Sequence, residues 1–224
     1  MKYYVISGID TERRPRLENQ LQINGVSLED VKWITYPNKN EITMELRNQI
    51  VMNEPSTISG VYIEANCPSL TLGQISCCYK HYLSLKDIVE NNYPYAVIME
   101  DADEFLKSIP ETLDRYIHEL NTYYPDWDII FDSDWEKYKE GEIFPDRIVY
   151  PKNNEVNNYD HGGTRCAHFY LLTQKCAKKL YENYIPFNHA PDWWMNHLFR
   201  KLNIKSFWAE PSMVSVYKHI STAT

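Results

Sequence analysis

Short apolar runs alternate with helical patterns along most of this chain, and this alternation constrains the fold more than any other feature. Residues 3–7 form an apolar run, a helical pattern extends over residues 11–23, and residues 31–36 form a second apolar run. A strand, a helix and another strand in succession are typical of the start of a parallel sheet. We therefore predict an α/β fold in which helices flank a mostly parallel sheet.

The same pattern continues toward the other end of the chain. Further strands are predicted at residues 95–99, 128–131, 167–173 and 204–209, and helices at residues 41–52, 73–92, 174–184 and 192–202, with one more beginning at Pro110. The rest of residues 37–72 and all of residues 136–165 are predicted to be loops. No linker or repeat divides the 224 residues, and this length suits one sizeable core, so we predict a single domain over residues 1–224.

Charge and cysteine content limit the partners and the compartment. The net charge is -8, which argues against nucleic acid as a partner because phosphate binding needs a basic surface. The five cysteines are an odd number and imply no disulfide framework, so free thiols in a reducing compartment fit best. No apolar run approaches the ~18 residues of a membrane helix, and the N-terminus lacks the pattern of a signal peptide. We expect a cytoplasmic protein without a membrane span, and peripheral association with a membrane stays open.

Four carboxylates in five residues follow the predicted strand at residues 95–99: Glu100, Asp101, Asp103 and Glu104. Like charges repel, so such a cluster costs free energy unless a cation offsets it. On an extended strand Asp101 and Asp103 would point the same way, and Mg²⁺ takes carboxylates together with ligand phosphates. We predict that both aspartates bind a divalent metal beyond the end of this strand, with Asp103 facing solvent and ligand. A solvated acidic turn is the alternative.

Two other carboxylates are candidates for acid–base chemistry. The motif Asp132-Ser133-Asp134 ends another predicted strand, where it would contact an acceptor or a second metal, or only close a turn. Asp192 follows Pro191 at a predicted helix start, where stabilisation by the helix dipole is a sufficient explanation. The adjacent Trp193 and Trp194 would also make a sugar platform beside a base. We predict Asp192 as the general base, with Asp134 as the second candidate.

Basic and metal-ligating candidates are more scattered. Arg13, Arg14 and Arg16 follow the first predicted strand and would clamp a diphosphate, although a solvated helix start also explains them. His81 lies four residues after Cys77, a spacing that suits a soft metal. The sequence shows no further ligand there, and a packed histidine at a helix edge is the simpler interpretation. His219, near the end of the chain, is predicted to fold back onto the metal.

The order of these motifs resembles glycosyltransferase family 25, which includes bacterial lipopolysaccharide galactosyltransferases and collagen β-galactosyltransferases. The resemblance extends over most of the chain. It rests on a first strand with its arginine turn, a G-E-x-x-C-x-x-S-H helix, an L-E-D-D strand end, a late strand and helix, and two closing segments. In this chain they correspond to Tyr4-Val5-Ile6 with Arg13 or Arg14, Leu72-Gly73-Gln74-Ile75-Ser76-Cys77 with His81, Met99-Glu100-Asp101, Tyr170-Leu171-Leu172 with Ala177 and Leu180, Pro191-Asp192, and Glu210-Pro211-Ser212.

The resemblance implies a GT-A fold, a nucleotide-sugar donor and transfer with inversion at the sugar carbon. Gln74 and Glu100 then join Arg13 and Arg14 as candidates for donor binding, and Mn²⁺ or Mg²⁺ is the expected metal.

This chain departs from the family pattern at three positions. Gln74 stands where the family usually has Glu, Lys80 where it has Ser, and Ala102 where it has the second Asp. Asp103 restores a literal D-x-D, which would preserve metal binding by a small shift.

The predicted function is metal-dependent transfer of a sugar from a nucleotide sugar, expected to be a UDP-sugar, to a hydroxyl of a glycan or protein. Asp101 and Asp103 would hold the metal on the diphosphate, and Asp192 would take the proton of the acceptor. Two alternatives stay open. A phosphate-ester hydrolase would use the same carboxylates, and a non-catalytic nucleotide-sugar-binding module is favoured by the departures at Gln74 and Ala102.

Overall fold

The computed structural model describes residues 1–8, 12–52, 70–134, 138, 141–154, 162–164 and 166–216. Nine strands are formed within these ranges: β1 Lys2–Ile6, β2 Val31–Ile34, β3 Tyr95–Glu100, β4 Asp103–Phe105, β5 Ile129–Phe131, β6 Val149–Lys152, β7 Phe169–Thr173, β8 Ser206–Ala209 and β9 Val214–Val216. Seven of them form one sheet in the order β2-β1-β3-β7-β5-β8-β6, and β4 pairs with β9 in a small separate sheet. Strand β1 pairs in parallel with β2 and β3, β5 pairs in parallel with β8, and β7 and β6 run antiparallel to their neighbours.

Six α-helices lie between these strands in the described part of the chain: α1 Arg13–Ile23, α2 Met44–Ile50, α3 Leu72–Glu90, α4 Ile109–Tyr123, α5 Gln174–Tyr181 and α6 Pro191–Leu202. Helix α3 begins with a capping box, in which the Thr71 hydroxyl accepts from the Gln74 amide and the Gln74 side chain accepts from the Thr71 amide. Such a box satisfies two backbone donors that a helix start otherwise leaves unpaired. Among the described helices, none is long and apolar enough to cross a bilayer.

Alternate residues of the central strands point into two different cores. Tyr4 and Ile98 lie in one core with residues of α3, α5 and α6, whereas Val5 and Val97 lie in the other with residues of α1 and α4. Successive side chains of a strand face opposite sides of a sheet, so strands covered by helices on both faces are apolar throughout. The result is a three-layer arrangement with the sheet between two layers of helices.

The predicted α/β class and the mostly parallel sheet are confirmed, and the predicted helices and strands appear with small shifts at their ends. Three short strands were not predicted. β6 lies inside the predicted loop over residues 136–165, β9 lies in the predicted polar tail, and β4 follows the acidic cluster. β6 is an edge strand that contains Pro151, and proline usually argues against a strand but is tolerated at a sheet edge.

This topology brings one set of loops to one edge of the sheet. The carboxyl ends of β1, β3 and β5 lie at this edge because those strands share a direction. β7 is antiparallel to β3 and β5, so its amino end, preceded by His168, lies there too. In open α/β sheets this edge is where ligands bind.

Candidate functional site

Asp101 is held by groups from the first strand and the first helix. Its Oδ2 accepts a hydrogen bond of 2.7 Å from the Ser7 hydroxyl, and its Oδ1 lies 3.0 Å from Arg13 Nη1. The Arg16 guanidinium donates to the Asp101 carbonyl oxygen over 3.1 Å. Both oxygens of this predicted metal ligand are therefore engaged by protein groups in this conformation.

Asp103 is fully buried, and neither of its carboxylate oxygens has a hydrogen-bond partner. Burial raises its pKa well above the usual value; the nearby charge of His168 opposes this rise, whereas Glu100 and Asp132 add to it. The expectation that Asp103 faces solvent is wrong. Residues 101–102 form a turn and Asp103 begins β4, so Asp101 and Asp103 do not share one extended strand.

Glu100 is surrounded by two histidines and a cysteine. Its Oε1 lies 3.7 Å from Cys77 Sγ and 3.7 Å from His81 Nε2, and its Oε2 lies 3.5 Å from His168 Nδ1. Burial alone would raise the pKa of Glu100, but the imidazoles of His168 and His81 hold it well below its usual range. This carboxylate is therefore ionised near neutral pH.

His168 is the main counter-charge at this edge of the sheet. Burial lowers its pKa, but the carboxylates of Glu100, Asp103 and Asp192 outweigh burial and raise the pKa to about 9. No sequence pattern pointed to His168, because its neighbours come from three distant segments.

Lys80 supplies a second positive charge beneath the first strand. It is buried, and its Nζ donates a hydrogen bond of 2.7 Å to the Ser7 carbonyl. Burial lowers its pKa, whereas Cys77, Asp101 and Glu41 raise it. Lys80 thus supports the loop that carries Ser7, which in turn holds Asp101.

Asp192 lies in the first turn of α6, and its Oδ1 accepts a hydrogen bond of 2.9 Å from the Trp193 amide. Ala190 is the N-cap of α6 and no side chain caps the helix, so the structural role open to Asp192 is an interaction with the helix dipole. The prediction that Trp193 and Trp194 form a sugar platform is wrong for Trp194. Trp194 is 3% exposed, and its Nε1 donates a hydrogen bond to the Tyr184 carbonyl. Trp193 is half-buried and stays available for contact.

The remaining predicted site residues are Asp134, Arg14, Gln74 and His219. Asp134 is exposed, and its Oδ2 accepts from the Ser215 hydroxyl over 2.7 Å. Arg14 pairs with Glu18 and lies over the Trp33 ring, on the outer face of α1. Gln74 is used by the capping box of α3. His219 lies outside the described residues.

The sequence predicts Asp132 only as part of a motif with Asp134, but in the structure Asp132 has contacts of its own at this edge of the sheet. It is buried and accepts hydrogen bonds from the Tyr116 hydroxyl at 2.7 Å, from the Ser212 hydroxyl, and from the Met213 amide at 2.9 Å. These bonds place the turn before β9, and β9 pairs with β4, the strand that carries Asp103.

The comparison with known protein families agrees with the motif order. The model of glycosyltransferase family 25, described as "LPS biosynthesis protein", matches residues 1–195. The chain belongs to glycosyltransferase family 25. The polar cluster at the carboxyl edge of the sheet is thus the candidate active site of a family 25 member, and its residues Glu100, Asp101, Asp103, His168 and Asp192 lie within the matched range.

Two further similarities place this family 25 member among known proteins. Procollagen galactosyltransferase 1-A of Xenopus laevis is 28% identical over 111 residues, which cover 50% of this chain and 17% of that protein. The chain therefore corresponds to a small part of the relative's length. Among solved structures, A197 from STIV is similar with a TM-score of 0.49 at 10% identity, covering 99% of this chain and 87% of that chain.

Proposed function

We propose that this family 25 member transfers a hexose from a UDP-sugar to a hydroxyl of a glycan or protein acceptor, with inversion and with the help of Mn²⁺ or Mg²⁺. Family membership supports the sugar transfer and the nucleotide-sugar donor. The relative's name, procollagen galactosyltransferase, makes UDP-galactose the first donor to test.

The observation that carries this proposal is the buried Asp103 carboxylate without a hydrogen-bond partner. An unpaired buried carboxylate costs free energy, and hard divalent cations take carboxylate oxygens as ligands. Asp103 therefore fits a metal at this edge. Asp101 would bind the same metal only if its ion pair with Arg13 were broken and replaced by a bond to the cation. The metal, when bound, offsets the charge that develops on the leaving nucleoside diphosphate.

The arginines of α1 are placed to receive the donor diphosphate. Arg13 and Arg16 both point to Asp101, whereas Arg14 does not. Guanidinium groups bind phosphate oxygens through paired hydrogen bonds. We assign the diphosphate to Arg13 and Arg16, two of the three arginines that the sequence offers after the first strand.

Asp192 is the proposed base on the acceptor side. Its charge contributes, after those of Glu100 and Asp103, to the raised pKa of His168, and this supports a role beside them. It would take the proton from the acceptor hydroxyl as that oxygen attacks the sugar carbon. Asp134 is the second candidate for this role.

Calorimetry of UDP-galactose binding with Mn²⁺ and with EDTA tests the proposal. We expect binding with Mn²⁺, a loss of affinity in EDTA, and the same loss in Asp103→Asn with Mn²⁺ present. Asp126→Asn is the matched control, because Asp126 is exposed and pairs with Lys205 outside the cluster. Equal affinity in Mn²⁺ and EDTA would contradict the metal role, and absence of binding for all UDP-sugars would contradict the donor class.

A non-catalytic nucleotide-sugar-binding module is the second candidate function. The observation that favours it is the occupation of both Asp101 oxygens by Ser7 and Arg13. A module of this kind would bind UDP-galactose but release no UDP over time. Measured UDP release with bound donor and Mn²⁺ therefore separates the module from the transferase, and release of phosphate from phosphate esters would instead favour a hydrolase.

A further inference from the structure

Cys77, His81 and Glu100 bring three different metal-ligating groups together at one point. Cys77 and His81 lie one turn apart on α3, and Glu100 is the last residue of β3. The sulfur, an imidazole nitrogen and a carboxylate oxygen all lie within 4.8 Å of one another. The sequence predicts Cys77 and His81 on one helix, but only the fold brings Glu100 to them.

The Cys77 thiol donates a hydrogen bond of 3.7 Å to Glu100 Oε1, but the separation of Glu100 from His81 suits a shared ligand better than a direct hydrogen bond. Glu100 Oε1 lies 3.7 Å from His81 Nε2, whereas N–H···O hydrogen bonds are ~2.7–3.2 Å long. His81 Nε2 is buried without a hydrogen-bond partner. Zinc binds nitrogen and oxygen at ~2.0–2.1 Å and sulfur at ~2.3 Å, so the ligand atoms of a tetrahedral site are ~3.3–3.5 Å apart. The observed 3.7 Å for both contacts of Glu100 is close to that edge length.

The surrounding groups prepare His81 and Glu100 for this role. His81 Nδ1 lies 2.7 Å from the Tyr170 hydroxyl. When Nδ1 carries the proton and donates a hydrogen bond to the Tyr170 hydroxyl, the lone pair of Nε2 faces Cys77 and Glu100. Hydrogen-bond partners of this kind commonly orient metal-binding histidines. His168 lies 3.5 Å from the other oxygen of Glu100 and so orients the carboxylate from the far side.

An ion can reach this point from solvent. His81 is fully buried, but the Glu100 side chain is 26% exposed and Cys77 is half-buried. The cluster is thus partly open to solvent at Glu100 and buried at His81.

We propose that Cys77, His81 and Glu100 bind one Zn²⁺ ion, with the fourth position open to water. A thiolate, an imidazole and a carboxylate are all zinc ligands, and a thiolate favours zinc over magnesium or manganese. Binding releases the Cys77 proton to solvent, because the thiolate is the ligand. The ion ties α3 to the end of β3 and thereby supports the edge that carries Asp101 and Asp103.

This inference goes beyond the proposed function and does not depend on it. The donor metal was assigned to Asp103 and Asp101, which offer only oxygen. The zinc ion was assigned to a cluster that contains sulfur. A measurement with metal ions alone, in the absence of any nucleotide sugar, therefore tests one without testing the other.

Titration of the full chain with Co²⁺ after removal of metals with a chelator tests the proposal. Co²⁺ takes the place of Zn²⁺ in tetrahedral sites, and its bond to a thiolate gives a charge-transfer absorption that carboxylate ligands do not. We expect this absorption to saturate at one ion per chain and to vanish when Zn²⁺ is added. A wild-type protein without it would overturn the proposal.

Three variants identify the ligands. Cys77→Ala should abolish the absorption, whereas Cys78→Ala should retain it, because the Cys78 thiol points to the His189 carbonyl. Asp103→Asn should retain it as well, and its loss there would overturn the ligand set. Tyr170→Phe should keep the absorption but weaken Zn²⁺ binding by ~10–100-fold, the usual cost of losing an outer partner.

Alkylation of the wild-type protein gives a second measurement that needs no variant. A thiol reagent followed by peptide mass analysis should modify Cys77 in the stripped protein, and stoichiometric Zn²⁺ should slow that modification at Cys77 by at least about 10-fold. If Zn²⁺ protected another cysteine instead of Cys77, or protected no cysteine, the assignment would be overturned. This measurement holds even if Cys77→Ala fails to fold.

Discussion

Asp192 lies in the first turn of α6, where stabilisation by the helix dipole explains a carboxylate as well as a catalytic base does. Asp192→Asn keeps the shape of the side chain while it removes the charge and the proton acceptor. We expect the turnover of UDP-galactose to fall by ~10²–10⁴-fold, the usual contribution of a general base. Donor affinity should stay unchanged, and the free energy of unfolding should fall by well under ~1 kcal/mol. Steady-state turnover and calorimetry of the same preparation check both parts.

Asp134→Asn is the matched comparison for that variant, because Asp134 is exposed and its side chain accepts a hydrogen bond from Ser215 of β9. If Asp192→Asn turns over within a few-fold of wild type and Asp134→Asn does not, the base is Asp134. A parallel fall in donor affinity would instead place Asp192 in the donor site.

His168 makes stability depend on pH in a defined direction. Its pKa is raised in the folded state to about 9 from a usual 6.5, because Glu100 and other carboxylates outweigh its burial. Its contribution is therefore complete below the unfolded pKa and is lost as pH rises through the folded one. We expect this contribution to be on the order of 3 kcal/mol at most.

Urea unfolding of wild type and His168→Gln in EDTA, from about pH 6 to about pH 9, isolates this effect. The difference in the free energy of unfolding between the two proteins should shrink as pH rises, since the ion pair is lost in wild type. A difference that is constant over this range would show that His168 is not charged by its neighbours.

At the scale of elements, Asp132 joins three parts of the chain that the sheet alone does not hold. It directly follows β5 and accepts hydrogen bonds from the Tyr116 hydroxyl of α4 and from the backbone amides of residues 213–214, before and within β9. Asp132→Ala would leave several buried donors without an acceptor. We expect the free energy of unfolding to fall by about 3 kcal/mol, measured by urea unfolding.

Tyr116→Phe is the control, because it removes one donor and leaves the carboxylate with its other partners. It should cost about 1 kcal/mol. Donor affinity is the second readout for Asp132→Ala: it should fall as well, because β9 holds β4 and β4 carries Asp103. Equal stability losses in the two variants would mean that the turn before β9 does not depend on Asp132.

At the scale of the whole molecule, a ligand that binds only the folded chain raises its melting temperature. A UDP-sugar at 100 times its dissociation constant stabilises by ~2.7 kcal/mol, which corresponds to a rise of about 5–10 °C for a chain of this size. We expect UDP-galactose with Mn²⁺ to give this shift in a screen of nucleotide sugars, and UDP-galactose with EDTA to give a clearly smaller one. A larger shift with a non-uridine nucleotide would change the donor class.

The architecture of this molecule could be predicted from local patterns to a large extent. Apolar periodicity in β1, α1, α3, β3 and β7 is a property of neighbouring residues, and it does not depend on what the rest of the chain does. The strands missed were β4, β6 and β9, which are short and depend on partners far along the chain. Their pairing is decided by tertiary contacts, so a local pattern carries little trace of it.

The sequence by itself determined the α/β class, the family and the position of the acidic cluster after β3, because these depend on periodicity and motif order. Only the tertiary structure decided which carboxylates are paired and which are not. Asp101 is neutralised by Arg13, Asp103 is buried without a partner, and Glu100 meets a cysteine and two histidines. Burial and ion pairing depend on segments that the fold brings together from distant parts of the chain, and the energies involved fall off within a few ångströms.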